Sequence, residues 1–390
     1  MQLADRMAQL GTESAFEVLA KARALEAQGQ DVIHLEIGEP DFATPAHVTQ
    51  AAVEALHGGA THYTPSAGIR QLREAIAADA GARRGFSIRP DEVVVTPGAK
   101  PIQFFSMLAL VNPGDEVVYP NPGFPTYESV ISFLGGKAVA IPLREESDFN
   151  FDLDLLRERV NGRTRLIVLN SPQNPTGGVL NRAGIEAIAE LAQRHNDCWV
   201  LSDEIYSRIL YEGEHLSIAS LPGMRERTII LDGFSKTYAM TGWRLGYGIM
   251  PPALAEQVAK LATNSVSCTA TFSQLAGVAA LQGPQTAVET MVAEFRARRE
   301  LVVEGLNAIP GIRCRRPAGA FYAFPNIAGL GLTSQASADY LLQKHGVAVL
   351  SGSSFGQYGE GYLRLSYANS QANLREALRR ISQAANELGR

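Results

Sequence analysis

Ser235 and Lys236, followed eight residues later by Arg244 in SKTYAMTGWR, put a nucleophilic amine and an anion clamp on one short segment. A lysine amine that loses its proton condenses with carbonyl groups. A hydroxyl donor and a planar, permanently charged guanidinium suit a phosphate monoester dianion. Alone, the segment is also what a surface lysine beside a paired arginine looks like. Its neighbours decide. LIVLNSPQNPTGG is an apolar run ending in Asn170 and then Asn174-Pro175, CWVLSDEIYSRIL delivers Asp203 to the end of a strand, and TIILDGFSK delivers Ser235 and Lys236 the same way. Three strand ends that each present polar groups mark the sheet edge where open α/β folds bind ligands.

The ordered motifs NPTGG, SDEIY, SKTYAMTGWRLGY and YLRLSYA resemble those of the class I pyridoxal-phosphate aminotransferases, in particular the aspartate aminotransferase-like branch of prokaryotes. The resemblance runs from EIGEPDF at 36–42 to YLRLSYA at 362–368, essentially the whole chain. It implies that Lys236 carries pyridoxal 5'-phosphate covalently and, once freed, moves the Cα proton as general base. It further implies that Asp203 faces the pyridine nitrogen and keeps it protonated. Tyr206 and Asn174 fall where the family bonds the cofactor's phenolic oxygen, and Phe124 in YPNPGFPTY where it stacks an aromatic ring on the cofactor. Ser235, Arg244 and the turn Gly98-Ala99-Lys100 match the phosphate cup, which Tyr63 of a neighbouring subunit completes. Arg364 matches the grip on the substrate's α-carboxylate, and Gly38 in GEPDF lets backbone approach that carboxylate closely.

Beside that resemblance the residues keep their plainer readings. VVVTPGAKPIQFF runs from a strand through a turn into a helix, so free N–H groups and the helix dipole favour an anion, although a simple helix start has the same form. Tyr206 also fits core packing. Arg364 among apolar neighbours needs a partner, either an incoming carboxylate or a structural Asp or Glu. In the resembling branch a lysine placed as Lys100 reaches a substrate's distal carboxylate, but PIQFF follows it where those relatives often carry QALF. A side chain directed to solvent is the other reading. The implied activity is transfer of an amino group from an L-amino acid, aspartate or glutamate favoured and aromatic or other donors possible, to a 2-oxo acid by a ping-pong mechanism in a homodimer. The alternatives are a β-eliminating lyase on the same fold and a non-enzymatic aminotransferase-like effector domain.

The elements that position these residues follow from composition and pattern. With 390 residues, 46% of them hydrophobic, the chain can bury large cores. A net charge of −5 speaks against nucleic acid as a partner. Arg296, Arg298 and Arg299 lie in a helical pattern and read as a solvated face. Cys198, Cys268 and Cys314 are far apart with no CxxC and read as reduced thiols of a cytoplasmic protein. The histidines lack ligand spacing, so no metal is expected, and no stretch predicts a membrane span or signal peptide. EVVVT, EVVYP, AVAIPL, RLIVL, CWVL, TIIL and GYGIM read as strands, with helices such as AGIRQLREAIAADAGARR between them. That alternation predicts an α/β, fold-type-I architecture: a large domain over 45–285 with a mostly parallel sheet covered by helices, and a smaller α+β domain from 1–44 and 286–390.

Overall fold

The computed structural model describes residues 3–388. Ile33–His34 (β1) is a short edge pairing. The seven runs predicted as strands then appear as Val93–Thr96 (β2), Glu116–Asn121 (β3), Lys137–Pro142 (β4), Thr164–Asn170 (β5), Trp199–Asp203 (β6), Thr228–Gly233 (β7) and Gly246–Ile249 (β8). They form one sheet in the order β2-β8-β7-β6-β5-β3-β4. Its interior strands are apolar on both faces: Leu166, Ile167, Val168 and Leu169 of β5 are all buried. A strand covered on both sides needs such a continuous run.

Register brings the motifs to one edge. β5, β6 and β7 are parallel, with Asn170 opposite Asp203 and Asp203 opposite Leu231, so their carboxyl ends are level. β8 runs antiparallel to both β7 and β2, placing Gly246 opposite Gly233 on one side and Thr96 on the other. The start of β8 therefore meets the ends of β7 and β2. This single reversal gathers Ser235 and Arg244 with the Gly98 turn, which is far from them in sequence. Beneath them Arg84, at the end of the helix Arg70–Arg84, bonds Glu204 and Asp232 at 2.8 Å each, tying the ends of β6 and β7 together. Burial opposes the charge on Glu204, but Arg84 and His215 hold its carboxyl well below the usual range.

Beyond the sheet, Tyr322–Ala323 (β9), Val347–Ala348 (β10), Leu350–Ser351 (β11) and Leu363–Ser366 (β12) complete the strands. β12 lies between β11 and β9, antiparallel to both, and β10 pairs in parallel with β1. The helices Thr286–Asn307 and Gln371–Leu388 cover this layer, with Phe295 stacked on Phe321 at 5.1 Å. Ile33 and Leu35 from the N-terminal segment belong to the same core.

The arginine cluster of the long helix corrects the sequence reading. Arg298 and Arg299 are buried, not solvated. Arg298 bonds Asp41 at 2.6 Å and lies 5.0 Å over the Phe42 ring, while Arg299 bonds Glu212 at 2.7 Å and lies 4.6 Å over Tyr211. A guanidinium tolerates burial when a carboxylate and aromatic faces replace its water. Among the described residues no helix is long and apolar enough to cross a membrane.

Candidate active site

Two buried groups, one at the end of β6 and one in β12, lack the partner their charge requires. Asp203, at the end of β6, accepts the Tyr127 hydroxyl at 2.6 Å and the Ile205 N–H at 3.2 Å, and no cation pairs with it among the described residues. Burial pushes its carboxyl up to about 6, against the pull of those two donors. Arg364, in β12, is also buried, and its guanidinium lies over the rings of Tyr322 at 4.7 Å and Phe355 at 5.2 Å. Its Nη2 donates to the Glu36 carbonyl and its Nη1 to Asn174 Oδ1 at 3.4 Å, but Nε has no partner. Desolvation weakens its hold on the proton. No structural Asp or Glu bonds this guanidinium among the described residues. An incoming anion would supply the partner that Nε lacks.

Lys236 follows the end of β7 and lies within reach of the Arg364 charge. Its Nζ donates to the Gly38 carbonyl at 2.6 Å. Desolvation lowers its amine from 10.5 to about 8, with Glu39 opposing the shift and Arg364 reinforcing it. A free amine is thus accessible near neutral pH, as carbonyl condensation and proton abstraction require. Gly38 cannot be replaced without loss, because a Cβ there would collide with the Tyr322 hydroxyl.

The phosphate-type donors gather at the other end of the cleft. Gly98 has a φ of 88°, and a Cβ there would strike the Arg244 guanidinium. Arg244 itself has a φ of 52°, a left-handed conformation that costs a non-glycine residue energy and occurs chiefly where surrounding structure imposes it. Its Nη1 donates to the Thr241 carbonyl at 2.9 Å, which aims the guanidinium back over the Gly98 turn. The helix Lys100–Leu110 begins directly after; Pro101 has no N–H and the Ile102 N–H donates to the Ala99 carbonyl at 3.0 Å, so the backbone donors left at this turn are those of Ala99 and Lys100. Ser235 is buried at the same edge. Hydroxyl, guanidinium and free N–H groups form a donor set for a phosphate dianion. Together with the Asp203 carboxylate, with which no cation pairs among the described residues, and the amine of Lys236, they fit pyridoxal phosphate.

The remaining predicted residues have the following neighbours. Tyr206 is buried with its hydroxyl 2.7 Å from that of Tyr322, so this side chain packs as well as lining the site. Asn174 is held by its N–H to Asn170 Oδ1 at 2.9 Å and presents its own Oδ1 to Arg364. Phe124 packs edge-to-face on Tyr127 at 5.7 Å. The Lys100 ammonium does not point free into the cleft: it pairs with Glu13 and lies 5.4 Å from the Phe124 ring. Tyr63 is 89% exposed and stands away from the other site residues' bonding network. Tyr127, Tyr322, Phe355, Glu13 and Glu39 were not singled out from sequence. Only Tyr127, three residues after Phe124 in GFPTY, had a signal, since that spacing puts both rings near one helix start.

The family profile for aminotransferase class I and II matches residues 30–381. The chain is 42% identical to the arginine–pyruvate transaminase of Pseudomonas aeruginosa, over 96% of this chain and 95% of that one. It is 40% identical to an aspartate aminotransferase of Rhizobium meliloti, over 99% and 97% respectively. The solved structure of an aromatic aminotransferase from Pyrococcus horikoshii superposes with a TM-score of 0.89 at 42% identity, covering 94% of this chain and 99% of that one.

Proposed function

From the premise that the chain belongs to the class I and II aminotransferases, we propose the role of each site residue in its reaction. The activity is pyridoxal-phosphate-dependent transfer of an amino group between an amino acid and a 2-oxo acid. When bound, pyridoxal phosphate supplies the carbonyl that carries the amino group and a ring that takes up electron density from Cα. Ser235, Arg244 and the Gly98-Ala99-Lys100 turn hold its phosphate, Asp203 faces its ring nitrogen, Asn174 and Tyr206 face its phenolic oxygen, and Phe124 covers its face. Lys236 anchors it and carries the proton to and from Cα. Arg364 grips the substrate's α-carboxylate with a fork that a carboxylate matches.

One observation carries this reading above the rest: a lysine amine lowered to about 8 feels the charge of a buried arginine that no acidic side chain bonds among the described residues. Tyr63, too exposed for a packed ring, reaches the phosphate of a second copy, which makes the working unit a homodimer. Residues 45–285 form the cofactor-holding domain, and 1–44 with 286–390 the smaller one; Ile33 and Leu35 packing with Phe295 and Ile381 support that division. Buried, unbridged Cys198 and Cys314 support a cytoplasmic setting. The named relatives act on aspartate, arginine and aromatic amino acids, so family membership leaves the donor open. We assign aspartate and glutamate as favoured donors because Lys100, whose ammonium pairs with Glu13 here, stands in the chain where the resembling branch has a lysine that reaches a distal carboxylate.

The test is Lys236→Ala. The variant should keep cofactor affinity through the phosphate cup and lose transamination by orders of magnitude. Near-normal turnover refutes the assignment. For the wild type, 2-oxo acid release that depends on an added amino acceptor separates transamination from β-elimination.

A further inference from the structure

Glu13 is the residue immediately before the helix Ser14–Glu26, a position from which a side-chain oxygen can accept an N–H of the helix's first turn. Here it makes no such bond. Its carboxylate instead crosses 87 residues of sequence to pair with the Lys100 ammonium. The segment that carries it is pinned from the other side, Gly11 N–H donating to Ser129 Oγ at 2.9 Å. The carboxylate belongs to the reaction cleft electrostatically: it favours protonation of Lys236, opposes the loss of charge on Arg364, and acts on Tyr322 as well. A carboxylate of this chain thus stands on the cation assigned to a substrate's distal carboxylate.

A transaminase binds two different substrates in turn in one pocket. If one has an uncharged side chain and the other a second carboxylate, a fixed lysine without a counter-ion favours the latter, and a carboxylate of the chain itself offsets that preference. We propose that Glu13 is an exchangeable counter-ion: it neutralises Lys100 while a substrate with an uncharged side chain is bound, and yields Lys100 to the distal carboxylate of a dicarboxylic one. The Lys100 side chain is 51% exposed and that of Glu13 20%. Pairs this open to water are weak, so a substrate carboxylate can displace one. The inference rests on the transaminase reading above and makes Glu13 a determinant of donor selectivity.

The experiment follows the amino-donor half-reaction of the pyridoxal-phosphate-loaded enzyme by cofactor absorbance, with glutamate and with alanine, and titrates succinate and propionate as non-reacting ligands. In Glu13→Gln the kcat/KM ratio of glutamate over alanine should rise roughly two- to fivefold, the range an exposed ion pair supplies. Succinate should bind tighter relative to propionate by a similar factor. In a Lys100→Met background the Glu13 change should move neither ratio, since the two residues act as one unit. An unchanged ratio in Glu13→Gln, or an equal change with Lys100 removed, overturns the inference. A wild type that reacts with no amino donor would instead sink the transaminase reading, so the two failures are distinguishable.

Discussion

Replacing Lys236 by Met should make the cofactor-free protein more stable near neutral pH while destroying its activity. The amine drops from 10.5 to about 8 in the fold, chiefly because burial strips water from its charge. Below pH 8 the ammonium is protonated in folded and unfolded chains alike, and the fold bears the full cost of desolvating it. Between pH 8 and 10.5 the folded amine is neutral while the unfolded one still binds its proton, so the cost fades as pH rises; above 10.5 it is gone. A lowering of two to three pH units corresponds to roughly 3 kcal/mol. Lys236 retains some solvent contact, and the variant loses the bond to Gly38, which together reduce the net gain to about 1–2 kcal/mol. The assay is denaturant unfolding of wild type and variant at fixed protein concentration, both stripped of cofactor, from pH 7 to 10.5. The account requires the variant to be more stable at pH 7 and its advantage to shrink through that window. A variant less stable at pH 7, or a gap that widens with pH, refutes the claim that the lysine is held in a desolvated, functionally poised state.

Two other substitutions probe the groups around it. Arg364→Lys replaces a fork with a point charge at a site where no acidic residue competes, and should cost roughly 1.5–3 kcal/mol, about ten- to a hundredfold in kcat/KM, mainly through KM for the amino acid; steady-state kinetics at saturating acceptor measure it, and an effect on kcat alone counts against carboxylate binding. Tyr127→Phe removes a donor that holds the Asp203 carboxyl down, so in the cofactor-free protein that carboxyl should titrate above its present value of about 6, as difference infrared spectroscopy of the carboxyl band would record; a downward shift contradicts the assigned cause.

The chemistry of the site was legible where it rides on strand ends. Asp203, Ser235 and Lys236 follow apolar runs whose length and β-branched content announce strands, and a parallel sheet sends such ends to one edge. The reversal of β8 was not legible, because GYGIM has the same character whichever way it runs; yet that reversal brings Arg244 to Gly98. Pairings across long separations were hidden for the same reason. Nothing in GTESAF indicates that Glu13 meets Lys100, and nothing in GAFYAF that Tyr322 bonds Tyr206, since each contact depends on how separate layers pack. Arg298 and Arg299 were misread because a charged helix pattern does not reveal that Asp41 and Glu212 arrive from elsewhere to neutralise it.

The central claim is that Lys236 is the cofactor's covalent anchor. Borohydride treatment of the pyridoxal-phosphate-loaded protein, followed by tryptic peptide mapping by mass spectrometry, tests it most directly. The account predicts a single phosphopyridoxyl adduct on Lys236; an adduct on another lysine, or none, would contradict it.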